Sequence, residues 1–154
     1  MADVLTAEQR RLNMTQIKGK NTKPELMLRQ GLHAVGLRFR VHVANLPGKP
    51  DLVFSRYHTA VFVHGCFWHG HDCPLFRLPS TRTEFWAKKI ADNQARDHRV
   101  IQTLNESGWR ILVVWECCLR GRGRRLLSEV INDCVTFIKT EDSKNGVLSG
   151  NWIQ

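Results

Sequence analysis

The sequence predicts an α/β domain, a mixed sheet flanked by helices, and three observations carry that prediction. Period-two and short apolar stretches cluster between Leu37 and His64. Helical patterns lie on both sides of that cluster, and the apolar run WRILVVWE follows the longest of them. The resulting order is helix, three strands, long helix, strand, in which the last strand can pair parallel after its helical crossover. A chain of 154 residues can bury one real core, and neither a repeat nor a linker interrupts it, so one domain over 1–154 is expected.

The elements follow in order. Thr6 and Gln9 have capping-box spacing before EQRRLNMTQIK, and Lys18, Lys20 and Lys23 make a basic connection, so 1–20 reads as a short helix and an arm. Thr22-Lys-Pro-Glu25 opens the next helix with a capping hydroxyl, an early proline and an acid. Leu28, Leu32 and Val35 share its apolar face and Gly36 stops it. This gives Glu25 a structural reading as a capping acid. LRFRVHV alternates Phe39, Val41 and Val43 with polar residues as a strand does; NLPGKP is a turn; DLVF and TAVFVH form a hairpin through SRYH. An antiparallel meander of three strands is expected.

Residues 65–82 read as a loop rich in metal-binding side chains. The helix from Thr83 carries the stripe Phe85/Trp86, Ile90, Asn93, Asp97, Ile101 and Leu104, with Lys89 on the adjoining face. Asn93 and Asp97 either border a cleft or, if the stripe rotates, face water. WRILVVWE suits a strand covered on both sides. RGRGRR is a second basic loop, LLSEVINDCVTFIKTE an amphipathic helix, and 143–154 is expected to be a loose tail.

Composition narrows the function classes. A net charge of +9 suits a polyanion, nucleic acid foremost. No run approaches the ~20 apolar residues of a membrane span, and the N-terminus lacks the apolar centre of a signal peptide, so cytoplasm is expected. There the five cysteines read as thiols or metal ligands rather than disulfides. Cys66, His71 and Cys73 form C-x4-H-x-C, a spacing that suits tetrahedral Zn2+. Cys117 is the leading fourth ligand, with Cys118 the alternative and His64 and His69 close by; a closed site of this kind is structural. Cys134 falls on an apolar helix pattern and reads as core.

A second site is readable in the same stretch. Asp51 opens one strand while the paired strand delivers Val63 and His64 near the same end. One carboxylate, a backbone oxygen and waters can hold Mg2+, which polarises a phosphodiester, and His64 and His69 can move protons near neutral pH. A DNA nuclease is the expectation.

PGKPD, VFVHGCFWHGHDC, TRTEFWAKKI, the N-x3-D pair and GWRILVVWEC together resemble the very short patch repair (Vsr) endonuclease family. The match spans most of residues 10–120, and GCFWHxHxC is its most specific motif. The resemblance implies a restriction-endonuclease-like fold, a PD-(D/E)xK variant in which Asp51 keeps the metal-binding acid. Phe62 and His64 stand where many relatives have the second acid and the lysine. It implies a duplex DNA substrate with a T:G mismatch, arising when 5-methylcytosine deaminates, nicked 5′ of the thymine. By the same resemblance Asp51 binds Mg2+ with the carbonyl of Val63, His69 is the general base, and Glu25, His64 and Asp97 order the metal-bound water. Many members have threonine at the place of Val63; a backbone ligand survives that change. Phe67, Trp68 and Trp86 resemble wedges that part the base stack, Met14 would reach the minor groove, and Lys89 and Asn93 would read the mispaired bases. A monomer is expected, with mismatch-repair proteins as a candidate partner class. Two other functions fit parts of the pattern: a restriction or junction nuclease of the same fold, and a noncatalytic zinc-stapled DNA-binding module.

Overall fold

The computed structural model describes residues 21–151. The expected basic arm and Met14 lie outside the described residues. Helix α1 (Lys23–Ala34) is followed by β1 (Arg40–Val41), β2 (Leu52–Phe54) and β3 (Thr59–His64). Then come the long helix α2 (Thr83–Glu106), β4 (Arg110–Trp115), helix α3 (Leu127–Lys139) and β5 (Asn145–Leu148). The five strands lie in the order β1-β2-β3-β4-β5. The first three form the expected antiparallel meander, and β4 pairs parallel to β3 after the α2 crossover.

Alternation along β3 and β4 divides the molecule into two layers. Val61, Leu112 and Val114 turn to one face, where Leu28 and Leu32 of α1 and Val130, Ile131, Cys134 and Ile138 of α3 cover them. Ala60, Phe62, Ile111 and Val113 turn to the other face, beneath Leu104 and Val100 of α2. Both central strands are therefore buried on both faces, which is what their unbroken apolar sequence requires. Each Val, Leu, Ile or Phe side chain covered this way contributes roughly 1.5–3 kcal/mol of burial free energy.

Four expectations are corrected. The strand anticipated over LRFRVHV is only two residues long, because His42 adopts a left-handed backbone (φ 48°) that ends the pleat. Val35, placed on the apolar face of α1, is the exposed residue at the helix end, while Leu28 and Leu32 are fully buried. The expected loose tail contains β5, which pairs parallel to β4 from Asn145 to Leu148 after α3 carries the chain across. Its alternation of exposed and half-buried residues along NGVL belongs to an edge strand and is too weak to stand out in the sequence. Phe85, read as part of the α2 stripe, is exposed at the helix N-terminus, whereas Ile90, Asn93 and Leu104 are buried.

Candidate active site

The hairpin register sets Leu52 opposite Val61, so Asp51 lies beside the C-terminal end of β3. Its Oδ2 accepts the Val63 N–H at 2.7 Å. Burial raises the Asp51 carboxyl to about 7; the adjoining Glu25 adds to the rise, and the Val63 hydrogen bond opposes it. Glu25 is itself only 2% exposed. Its Oε1 accepts the Asn21 N–H at 3.1 Å, and its Oε2 meets His42 Nε2 at 2.7 Å and Arg29 at 3.2 Å. The capping reading of Glu25 therefore holds in part. The acid takes a backbone N–H before the helix, but from Asn21, and the Thr22 hydroxyl makes no cap bond. Its other oxygen points toward the site: one ligand atom each from Glu25, His42 and Asp51 falls within 4.8 Å of the others.

On the α2 side of the same strand end, His64, His69 and Asp97 form a second group. The two imidazoles stack with centroids 3.9 Å apart and planes 4° from parallel. His69 Nδ1 lies 2.5 Å from Asp97 Oδ2. A carboxylate on Nδ1 fixes the tautomer and leaves Nε2 with a lone pair, the arrangement a general base needs. Burial, with His69 adding, pushes the His64 imidazole down to about 3, so it is neutral at pH 7. Among the described residues, buried His64 Nδ1 has no hydrogen-bond partner. A cleft of about 520 Å³ joins Asp51, Val63, His64, His69, Arg96 and Asp97.

A third group lies under the loop after β3. Ligand atoms of Cys66, His71, Cys73 and Cys117 fall within 4.8 Å of one another. His71 Nδ1 is 3.5 Å from Cys66 Sγ and 3.6 Å from Cys117 Sγ. Tetrahedral zinc with Zn–S about 2.3 Å and Zn–N about 2.0 Å requires an S···N edge of about 3.5 Å, so the donor set and its spacing fit that ion. Cys117 arrives from the short 3-10 turn after β4 (Glu116–Cys118), and Cys118 points instead into the core beneath α3. Burial holds the Cys118 thiol up at about 12, as it does Cys134. A hydrogen bond from Cys66 draws Cys117 down to about 5, helped by the Gly150 N–H and by His71. Gly150 donates to Cys117 Sγ at 3.2 Å, and a Cβ there would meet the Cys117 carbonyl oxygen at 2.3 Å, so only glycine permits this approach. His71 also stacks on Trp115, centroids 4.1 Å apart.

The DNA mismatch endonuclease Vsr family model matches residues 2–75. The DNA mismatch endonuclease Vsr of Escherichia coli K12 is 50% identical over 133 residues, 86% of this chain and 85% of that protein. The type II nicking enzyme V.XorIIP of Xanthomonas oryzae is 49% identical over 123 residues, covering 80% of this chain and 90% of its own. V.NmeAIP of Neisseria meningitidis, another type II nicking enzyme, is 40% identical over 139 residues, 90% of this chain and 98% of its own.

This chain belongs to the Vsr family.

The remaining residues singled out by the Vsr resemblance are placed as follows. Phe67, Trp68 and Trp86 pack edge to face, with centroids 5.2 to 5.8 Å apart, and Phe67 and Trp68 line a cleft of about 840 Å³ together with Val63, His64 and His69. Lys89 is exposed on α2. Asn93 is buried, and its amide donates to the Trp68 carbonyl at 2.8 Å. Gln94 does the same for the carbonyls of His69 and Gly70, so α2 holds the His69 loop by its backbone.

Two contributors were missed. His42 read only as the polar member of an alternating strand, although its spacing before P-D carried no structural need for histidine. Glu116, the last residue of WRILVVWE, was given no role, yet its Oε1 accepts the Cys66 N–H at 3.1 Å and its Oε2 pairs with Arg120 at 2.7 Å. An acid directly before a candidate zinc-ligating cysteine is the available signal.

Proposed function

We propose that this protein is a mismatch endonuclease that nicks duplex DNA 5′ of the thymine in a T:G mismatch, with Mg2+ at the catalytic centre and Zn2+ holding the His69 loop. Family membership supports nuclease action on DNA. The carrying observation is that the Asp51 end of β2 and the His69–Asp97 pair face one cleft continuous in residues with the aromatic wall of Phe67 and Trp68. The layers on either side of the sheet suit a restriction-endonuclease-like PD-(D/E)xK variant built as one domain.

Asp51, with the Val63 carbonyl, would hold Mg2+. A carboxylate raised to about 7 beside a second buried acid is a place where a divalent cation relieves repulsion. Bound Mg2+ supplies polarisation of the scissile phosphate and stabilisation of the departing oxygen. His69 Nε2 takes the proton of the attacking water while Asp97 keeps Nδ1 protonated and the ring in place. His64, neutral and stacked on the His69 ring, would help order water in the cleft. Water oxygen bonds to phosphorus, the P–O bond 5′ of the thymine breaks, and the strand opposite stays intact. Phe67, Trp68 and Trp86 would enter the stack beside the mismatch, where opening a step costs less than in paired DNA.

Cys66, His71, Cys73 and Cys117 would form a closed zinc site, structural because no ligand position is left for water. The deciding experiment compares nicking of T:G and T:A duplexes with and without Mg2+. Cutting confined to T:G and to Mg2+ is expected; equal cutting of both duplexes would favour a restriction or junction nuclease. Binding without cutting would favour a noncatalytic zinc-stapled module.

A further inference from the structure

We infer that His42 is a positioning residue of the nuclease site, fixing the Glu25 carboxylate against Asp51. The inference rests on the nuclease reading and adds to it a residue that takes no part in the chemistry itself.

One residue touches both acids. The His42 main-chain N–H donates to the Asp51 carbonyl at 3.2 Å, and its ring Nε2 lies 2.7 Å from Glu25 Oε2. The main-chain bond is the rung that follows Val41↔Leu52, and at His42 itself the backbone turns left-handed, φ 48°, which a residue with a Cβ rarely adopts. The conformation ends β1 and delivers the ring to a carboxylate that is almost entirely buried. Backbone strain kept beside a site is an observation from which a role can be argued.

Of the partners on Oε2, His42 makes the shorter contact, against 3.2 Å for Arg29. Arg29 reaches it along α1 and also bonds the Asn21 side chain at 2.7 Å. With Asn21 N–H on Oε1 and His42 on Oε2, both carboxylate oxygens are held and the plane of the group is set. Remove the ring donor and one oxygen keeps only the longer, shared contact. Glu25 then turns about its last bond, and the charge that faces Asp51 loses its place. Outer partners of this kind set ligand orientation at metal sites.

The test compares His42→Leu with His42→Gln. Both replacements keep a Cβ at φ 48°, so backbone strain is common to them, but only glutamine carries an N–H2 at the reach of Nε2. Mg2+ affinity of the DNA-free protein is measured by calorimetry, alongside single-turnover nicking of the T:G duplex. His42→Leu is expected to weaken both by about 10- to 100-fold, with T:G binding in the absence of Mg2+ unchanged. His42→Gln is expected to restore most of each. In a Glu25→Gln background, His42→Leu should cause no further loss, because residues acting as one unit are not additive. Wild-type Mg2+ affinity in His42→Leu, or glutamine as poor as leucine, overturns the inference, as does an equal loss in the Glu25→Gln background. Failure of the nuclease reading looks different: the wild-type chain would bind Mg2+ and cut neither duplex.

Discussion

The two clusters flanking the Gly65–His69 turn are built from similar residue types to opposite ends. In the cysteine cluster Cys66 and Cys117 are buried, and the donors face one another at tetrahedral edge lengths. Beside it, Asp51, His64 and His69 line an open cleft; Asp51 is raised to about 7, and His64 Nδ1 has no partner among the described residues. A set of donors that satisfy one another holds a loop. A set left unsatisfied at a cleft is prepared for something that arrives. His69 belongs to both: Asp97 orients its ring, while the cysteine loop and the α2 amides of Asn93 and Gln94 fix its surroundings.

The contrast predicts different failures. Asp51→Ala should bring T:G nicking to background while the fold and mismatch binding persist, read by a nicking assay beside a gel shift. Loss of the folded state in that variant would make Asp51 a structural residue and erase the distinction. Cys117→Ala should do the reverse, releasing zinc and costing several kcal/mol of stability, on the order of what a structural metal contributes. Cys118→Ala, one residue on, should keep its zinc and lose only about 1 kcal/mol from the cavity beneath α3. Metal content by atomic emission decides: equal zinc in the two variants would dissolve the cluster as drawn.

How far these sites were legible depended on whether their contacts were local. Cys66, His71 and Cys73 sit close enough in sequence for spacing to reveal them, and Asp51 with His64 follows from hairpin geometry. The choice of Cys117 over Cys118 required the sense of a 3-10 turn that apolar alternation does not encode. His42 was hidden because period-two patterning assumes a backbone that a left-handed residue breaks. Asn93 was recognised as polar within an apolar stripe, yet its partner, the Trp68 carbonyl, is 25 residues away in a loop without a repeating pattern. The β4 strand was plain because burial on both faces leaves no polar positions; β5 was not, because an edge strand needs few apolar ones.

A further contrast tests the open cluster through its protons. Asp51 goes from an ordinary 3.8 to about 7, and His64 from 6.5 to about 3. A carboxyl raised on folding contributes stability that is fully present below pH 3.8 and lost as pH rises through about 7. A histidine depressed on folding contributes stability present above pH 6.5 and lost as pH falls through about 3. Between pH 3.8 and 6.5 the folded chain therefore holds one proton more on Asp51 and one fewer on His64 than the unfolded chain, and the two slopes cancel. Asp51→Asn should expose the His64 slope, with stability relative to wild type in Mg2+-free buffer rising toward pH 7.5 by on the order of 3 kcal/mol. His64→Gln should expose the opposite slope, gaining on wild type as pH falls toward 4. Urea midpoints taken at pH 4.5, 6 and 7.5, each as a difference from wild type, read both. Parallel profiles for the two variants would mean that these groups do not carry their protons in the buried, mutually opposed way that distinguishes the open cluster from the closed one.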